Sequence, residues 1–162
     1  MYVNAALPLW FGREIRVETV PVDPRSLFRG NYARLNYSFS RLEGQIVPGE
    51  RRLRSGEVVY VQLKPGDRQL FEYAGLSLQK PESGVFIRGR VEHHYRSEQK
   101  ESLTIKYGIE AFFAPKDKAL ALERELRGSG VAVLMVSDNG RAAIRDVLVR
   151  SGRSSDNNVN TE

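Results

Sequence analysis

The sequence predicts a mainly β protein of the α+β class, with antiparallel sheets forming a barrel or sandwich and one amphipathic helix near the C-terminal end. Three observations lead there. Segments in which apolar and polar side chains alternate recur along the chain, and a period of two is what a half-buried strand requires. Gly, Pro, Asn and Asp separate them at intervals that suit a meander. A single stretch, Asp117 to Arg127, carries apolar residues at helical spacing instead. With 162 residues, 41% hydrophobic and 28% charged, the chain has material for one folded core.

The first strand runs from Arg13 to Val22, where Ile15, Val17 and Thr19 alternate with Arg16 and Glu18. Asp23 and Pro24 stop it. Asp is a good N-cap, Pro suits the first helical position and Gly30 can take the left-handed conformation, so Asp23 to Gly30 reads as a compact, shaped connection. A second strand begins at Ala33. Leu35, Tyr37 and Phe39 share its core face, and Tyr32, Arg34, Asn36 and Ser38 face away.

Arg41 to Gly56 is polar and reads as a long, mobile loop. Strands follow at Glu57 to Leu63, Gln69 to Leu78, Val85 to Tyr95 and Leu103 to Phe113, the turns between them carrying Pro65, Gly66, Pro81 and Gly84. In the Val85 strand, Val85, Ile87, Gly89 and Val91 share one face, opposed by Phe86, Arg88, Arg90 and Glu92. In the helix, Ala119, Leu122 and Leu126 line one side and Gly128 is placed to cap the C-terminus. Val131 to Val136 is apolar on both faces and reads as a central strand. Asp138, Asn139 and Gly140 turn it into a partner spanning Arg141 to Arg150. In that partner Ala142 and Ile144 are out of phase with Val147 and Val149, which predicts a bulge at Arg145 or Asp146.

The domain therefore spans 13–150, between an apolar stub over 1–12 and a polar tail over 151–162 that is expected to be disordered. The stub contains Ala5, Ala6, Leu7, Pro8, Leu9, Trp10 and Phe11 and no charge. It is too short to cross a bilayer and lacks the basic n-region of a signal peptide. Two readings stay open: a leader packed on the domain, or the outer end of a membrane helix whose earlier part precedes Tyr2, with Trp10 at the interface.

Chemistry is sparse. There is no Cys, which removes disulfides, thiolate ligands and thiol nucleophiles. His93 and His94 are adjacent, and strand neighbours point to opposite faces, so the pair is expected at a solvated strand end and does not build a metal site. No cofactor is expected. The net charge is +5, but acids interrupt the bases and no nucleic-acid motif accompanies them. The exceptions are Arg25, Arg29 and Arg34, and the loop set Arg51, Arg52 and Arg54, which is the candidate anion-binding site. Glu110, in an apolar stretch, is the acid expected to be half-buried, with Arg25 or Arg34 as partner.

The stretch from Asp23 to Tyr37 carries a motif. Gly30, Tyr32, Leu35 and Tyr37, preceded by Asp23, Pro24 and Arg25, resemble the defining segment of the GDYXXLXY family of bacterial proteins. Asn31 stands where the motif has an acid. Tyr107, Gly108 and Glu110, within the run to Phe113, look like the family's second block, and Gly140 to Ala142 resembles its Gly-Arg-Ala turn. The resemblance implies a single-span membrane-anchored protein with an extracytoplasmic, periplasmic domain, encoded beside multi-pass membrane proteins. A non-enzymatic accessory or protein-interaction domain is then expected, with Tyr32, Arg34 and Asn36 as the partner surface.

The alternative is a signal-peptidase-like fold. Pro24, Leu27 and Gly30, then Gly56 to Val61, then Ile87 to Val91 loosely resemble that fold's order of blocks. Pro21 or Val22 falls where the nucleophilic Ser would lie and Arg88 near the Lys. Arginine keeps its proton and cannot act as the base, so the fold is expected without the Ser/Lys chemistry.

Overall fold

The computed structural model describes residues 12–20, 28–29, 32–115, 117–118, 122 and 130–149. Among them the strands are β1 (Arg13–Val20), β2 (Phe28–Arg29), β3 (Tyr32–Arg34), β4 (Asn36–Tyr37), β5 (Arg41–Glu43) and β6 (Val58–Pro65). They continue with β7 (Phe71–Ser77), β8 (Val85–Arg96), β9 (Glu101–Lys106), β10 (Ala111–Phe113), β11 (Gly130–Val136) and β12 (Ala142–Val149). The protein is mainly β, as the alternation requires.

The large sheet has the order β12-β11-β1-β7-β6-β8-β9-β5, with β4 also on β1. It curls into a half-barrel. The continuous segment from Asn36 to Glu43 spans the curl, because β4 pairs with β1 through Thr19 and Tyr37 while β5 pairs with β9 through Leu42 and Leu103. A second sheet, β10-β3-β2, lies on the same stretch of chain. The ladders are antiparallel with one exception to the expected meander. β1 meets β7 in parallel at Val17 and Phe71. Strand direction in β7 is fixed by its antiparallel ladder with β6, so when the curl brings its outer edge to β1 the contact is parallel whatever the local sequence prefers.

Side chains from the inner faces fill the half-barrel. Ile15 and Val17 from β1, Val59 and Val61 from β6, Ile87 and Val91 from β8, Leu103 and Ile105 from β9 and Leu134 from β11 are all buried. Each such side chain contributes about 1.5–3 kcal/mol of burial. Gly89 sits among them because a Cβ there would lie 2.4 Å from Ile105 Cγ2 and 2.9 Å from Tyr107 Cδ1. β11 is apolar on both sides as expected, with Ala132 through Val136 buried, and lies between β12 and β1. The expected bulge is present. Val133 faces Asp146 and Leu134 faces Ile144, leaving Arg145 as the extra residue.

Three expectations need correction. The run 41–56 is only partly a loop, because Arg41–Glu43 is a strand, and the remainder is pinned, with Val47 and Leu53 buried. The strand expected over Leu103 to Phe113 is broken into β9 and β10 by a turn at Tyr107 to Glu110, where Gly108 has φ +85°. Phe28 and Arg29, expected within a helical turn, pair instead with Ala33 and Tyr32, which lets β3 gain a second partner. Of the helix expected over 117–127, Asp117, Lys118 and Leu122 are described, with helical backbone; the rest, like the Gly128 cap, lies outside the described residues, and no complete α-helix is present among them. The stub over 1–11, most of the Asp23 to Gly30 connection and the tail from 150 also lie outside.

The turn between β11 and β12 behaves as the Asp-Asn-Gly sequence requires. Gly140 N–H donates to Ser137 O at 2.9 Å and Gly140 takes φ +84°. A Cβ there would also lie 2.8 Å from Phe86 Cε2 and 3.0 Å from the backbone N of Arg88. Gly140→Ala is therefore expected to destabilise the fold by about 1–3 kcal/mol, through positive φ and crowding together. Its urea midpoint checks this, with Asp138→Ala at the exposed neighbouring position shifting far less.

Candidate functional site

The motif stretch forms a continuous ladder of alternating burial. Ala33, Leu35, Tyr37 and Phe39 are buried, and Tyr32, Arg34, Asn36 and Ser38 are exposed. The segment changes sheets at Leu35, whose N–H donates to Glu110 O at 2.8 Å. β3 pairs with β10, setting Arg34 opposite Ala111 and Tyr32 opposite Phe113. The two blocks that resemble the family's therefore fold against each other.

Buried hydroxyls tie the two blocks further. Tyr37 O–H donates to Ile109 O at 2.6 Å and Tyr107 O–H donates to Phe39 O at 2.6 Å. The Phe39 ring stacks on Tyr37 and meets Tyr107 edge-on, both at 5.3 Å between centroids. Burial, reinforced by the negative charge of Glu110, pushes both tyrosines well above the usual phenol range, so they remain neutral donors.

Glu110 is half-buried as expected, but its partners differ. Its carboxylate accepts from the N–H of Tyr107 at 2.6 Å and of Gly108 at 2.9 Å, capping its own turn. Arg34 makes no ion pair with it; Arg25 lies outside the described residues, as do Asp23, Pro24, Gly30 and Asn31. Backbone donors two and three residues away hold the carboxylate at less entropic cost than a long Arg side chain reaching from another strand.

The outward face is open. Tyr32 is 52% exposed and Phe113 61%, among the most exposed large apolar side chains described, and they meet edge-on at 5.3 Å. Arg34 and Asn36 flank them along the same chain. The alternation located Tyr32, Arg34 and Asn36; it could not supply Phe113, whose place beside Tyr32 is decided by strand register.

The Arg51, Arg52 and Arg54 set is less free than its composition suggests. Arg51 Nη2 lies 2.8 Å from Glu57 Oε2, and the Arg54 N–H donates to Glu57 Oε1 at 3.1 Å. Arg52 is exposed. A different cationic group, Arg88, Arg90, Lys106 and Arg141, is assembled only by the fold.

The histidines also correct the expectation of a solvated strand end. Val91 pairs with Ile105 and His93 with Thr104, so Glu92 is an extra residue in β8 and the side-chain phase reverses there. His93 is exposed, whereas the His94 side chain is 0% exposed. His94 Nδ1 accepts the Leu53 N–H at 2.8 Å, which leaves Nε2 to donate to Glu101 Oε1 at 2.8 Å. Glu101, itself 6% exposed, accepts the Ile46 N–H at 2.9 Å through its other oxygen. Burial pushes the Glu101 carboxyl up, but the Ile46 and Val47 amides, His94 and Arg96 together outweigh it and hold it below the usual range. Arg96 Nη2 reaches Gly49 O at 2.7 Å. These bonds strap the 44–54 segment onto β8 and β9, a structural clasp that no periodicity announces.

No Ser hydroxyl lies within hydrogen-bond reach of a Lys amine among the described residues, and Arg88 is half-buried; Pro21 and Val22 lie outside them. Among the described residues no three His, Asp or Glu side chains group to hold a metal ion, and no helix is long and apolar enough to cross a membrane.

One protein-family model, described as GDYXXLXY protein, matches residues 1–147. No curated protein and no solved structure matches the chain.

Proposed function

The chain belongs to the GDYXXLXY family, and on that premise we propose that it is a non-enzymatic accessory domain, held at the extracytoplasmic face of a membrane, that binds a multi-pass membrane protein. The observation that carries this is the Tyr32 and Phe113 pair. Two large aromatic rings are kept in solvent, packed on each other, on a short sheet whose opposite face carries the buried Ala33 and the half-buried Phe112. Rigid aromatics flanked by an Arg are the side chains that dominate protein interfaces. The uncharged run from Ala5 to Phe11 supports attachment to a membrane. We further propose that the expected helix over 117–127 lies on the sheet; the buried Leu122 supports it.

A photo-crosslinking side chain at Tyr32, in cells making the full chain, tests the proposal. One discrete adduct in the membrane fraction is expected, absent when the same group replaces exposed Gln99. Phe113→Ser should weaken the isolated complex by roughly 30-fold, the effect of losing a hot-spot aromatic. No adduct at position 32, or equal adducts at 32 and 99, overturns it.

A further inference from the structure

A groove of about 340 Å³ opens where β9 ends, lined by Arg88, Arg90, Lys106, Gly108 and Arg141. Three distant parts of the chain make it. The Arg88 N–H donates to Gly140 O at 2.8 Å, which docks the β11–β12 turn on β8 and brings Arg141 alongside. Antiparallel register puts Arg90 directly opposite Lys106. Gly108, with φ +85° and nothing within 4 Å of where a Cβ would stand, leaves the end of the groove open.

The charges do not cancel. Lys106 pairs with Glu92 at 2.9 Å, and Arg90 Nη1 donates to the neutral Gly56 O at 2.9 Å. Arg88 and Arg141 make no ion pair among the described residues. Glu110, whose oxygens accept backbone N–H groups, still offsets part of the positive charge at Lys106, and Arg34 adds a further positive charge nearby. Like charges directly opposite each other on a sheet are destabilising. Glu92 relieves the opposition of Arg90 and Lys106, which leaves the guanidiniums of Arg88 and Arg141 as the cations that a bound anion would pair.

We propose that this groove binds a phosphate-bearing anion, with Arg88 and Arg141 as its principal ligands and Arg90 and Lys106 supplying further positive potential. Planar guanidinium forks match the tetrahedral oxygens of phosphate, and several cations converging on one opening favour a multiply charged group over a single carboxylate. The same chemistry is offered by an anionic lipid headgroup and by a free phosphate. The site does not depend on the Tyr32 and Phe113 surface.

The test uses the full chain with two probes in 0.1 M salt: inorganic pyrophosphate by calorimetry, and sedimentation with phosphatidylglycerol vesicles against phosphatidylcholine vesicles. Binding of pyrophosphate, of phosphatidylglycerol vesicles or of both is expected, and which probe binds identifies the source. Arg88→Gln with Arg141→Gln should weaken that binding about tenfold or more, the share carried by charge-assisted hydrogen bonds. Arg51→Gln, Arg52→Gln and Arg54→Gln together should leave it within about twofold, since Glu57 already engages that loop. Arg141→Gln alone, at an exposed turn position, serves if the double variant does not fold. Failure of the wild-type chain to bind either probe, or equal binding by the variants, overturns the proposal.

Discussion

Phe39→Ala is expected to lower stability by about 3–5 kcal/mol, the cost of removing a fully buried aromatic ring that its neighbours cannot collapse onto. Phe39 is 0% exposed and wedged between the Tyr37 and Tyr107 rings. Both neighbours are held by hydroxyl bonds to backbone carbonyls, Tyr37 to Ile109 and Tyr107 to residue 39 itself. Urea unfolding should show a midpoint displaced by that amount with an unchanged slope. Phe39→Leu, which refills most of the volume, should recover more than half of the loss. If the alanine variant unfolds within about 1 kcal/mol of wild type, the aromatic cluster is not the element that joins the two motif blocks.

The second large effect belongs to the clasp. Glu101→Ala removes the acceptor for the Ile46 N–H and the His94 Nε2–H together, leaving buried donors unpaired. About 3 kcal/mol is expected, the lower end for breaking a buried, hydrogen-bonded charge network. The sign of the pH dependence follows from the carboxyl being held below its ordinary 4.5 in the folded state. Its contribution is fully present above that value and is lost as pH falls through the lower, folded-state value, because the unfolded chain then binds the proton more readily. Wild type should therefore lose stability on acidification below about 4.5 more steeply than Glu101→Gln. Parallel pH curves for the two proteins would mean that the carboxylate is not charged and clasped in the way its contacts indicate. Hydrogen exchange at Ile46 and Leu53 amides should rise in either variant, since these are the loop atoms the clasp holds.

The candidate partner face was legible in the sequence to the extent that alternation reaches. Tyr32, Arg34 and Asn36 fall opposite Leu35 and Tyr37 by strand geometry alone, and the fold keeps them there. Phe113 was not, since nothing local links it to Tyr32; the pair exists because β10 runs antiparallel to β3 in one register. His94 shows the sharper limit. Its burial follows from a single extra residue in β8, which reverses the facing of everything after Val91, and no local composition marks Glu92 as that residue. The bulge in β12 could be read because apolar residues stand on both sides of it out of phase; in β8 the residues beyond the bulge are polar, so the phase change left no trace.

What the sequence determined by itself is the mainly β character, the two faces of the segment from Tyr32 to Phe39 and the β11–β12 turn, because each depends on side chains within a few residues of one another and on the period of the backbone that carries them. Tertiary structure alone decided the parallel contact of β1 with β7, the clasp of His94 and Glu101 on the 44–54 segment, and the meeting of Arg88, Arg90, Lys106 and Arg141. Those depend on register and curl, which are set by the summed burial of many strands against one core, and a quantity summed over the whole chain is not written in any one stretch of it.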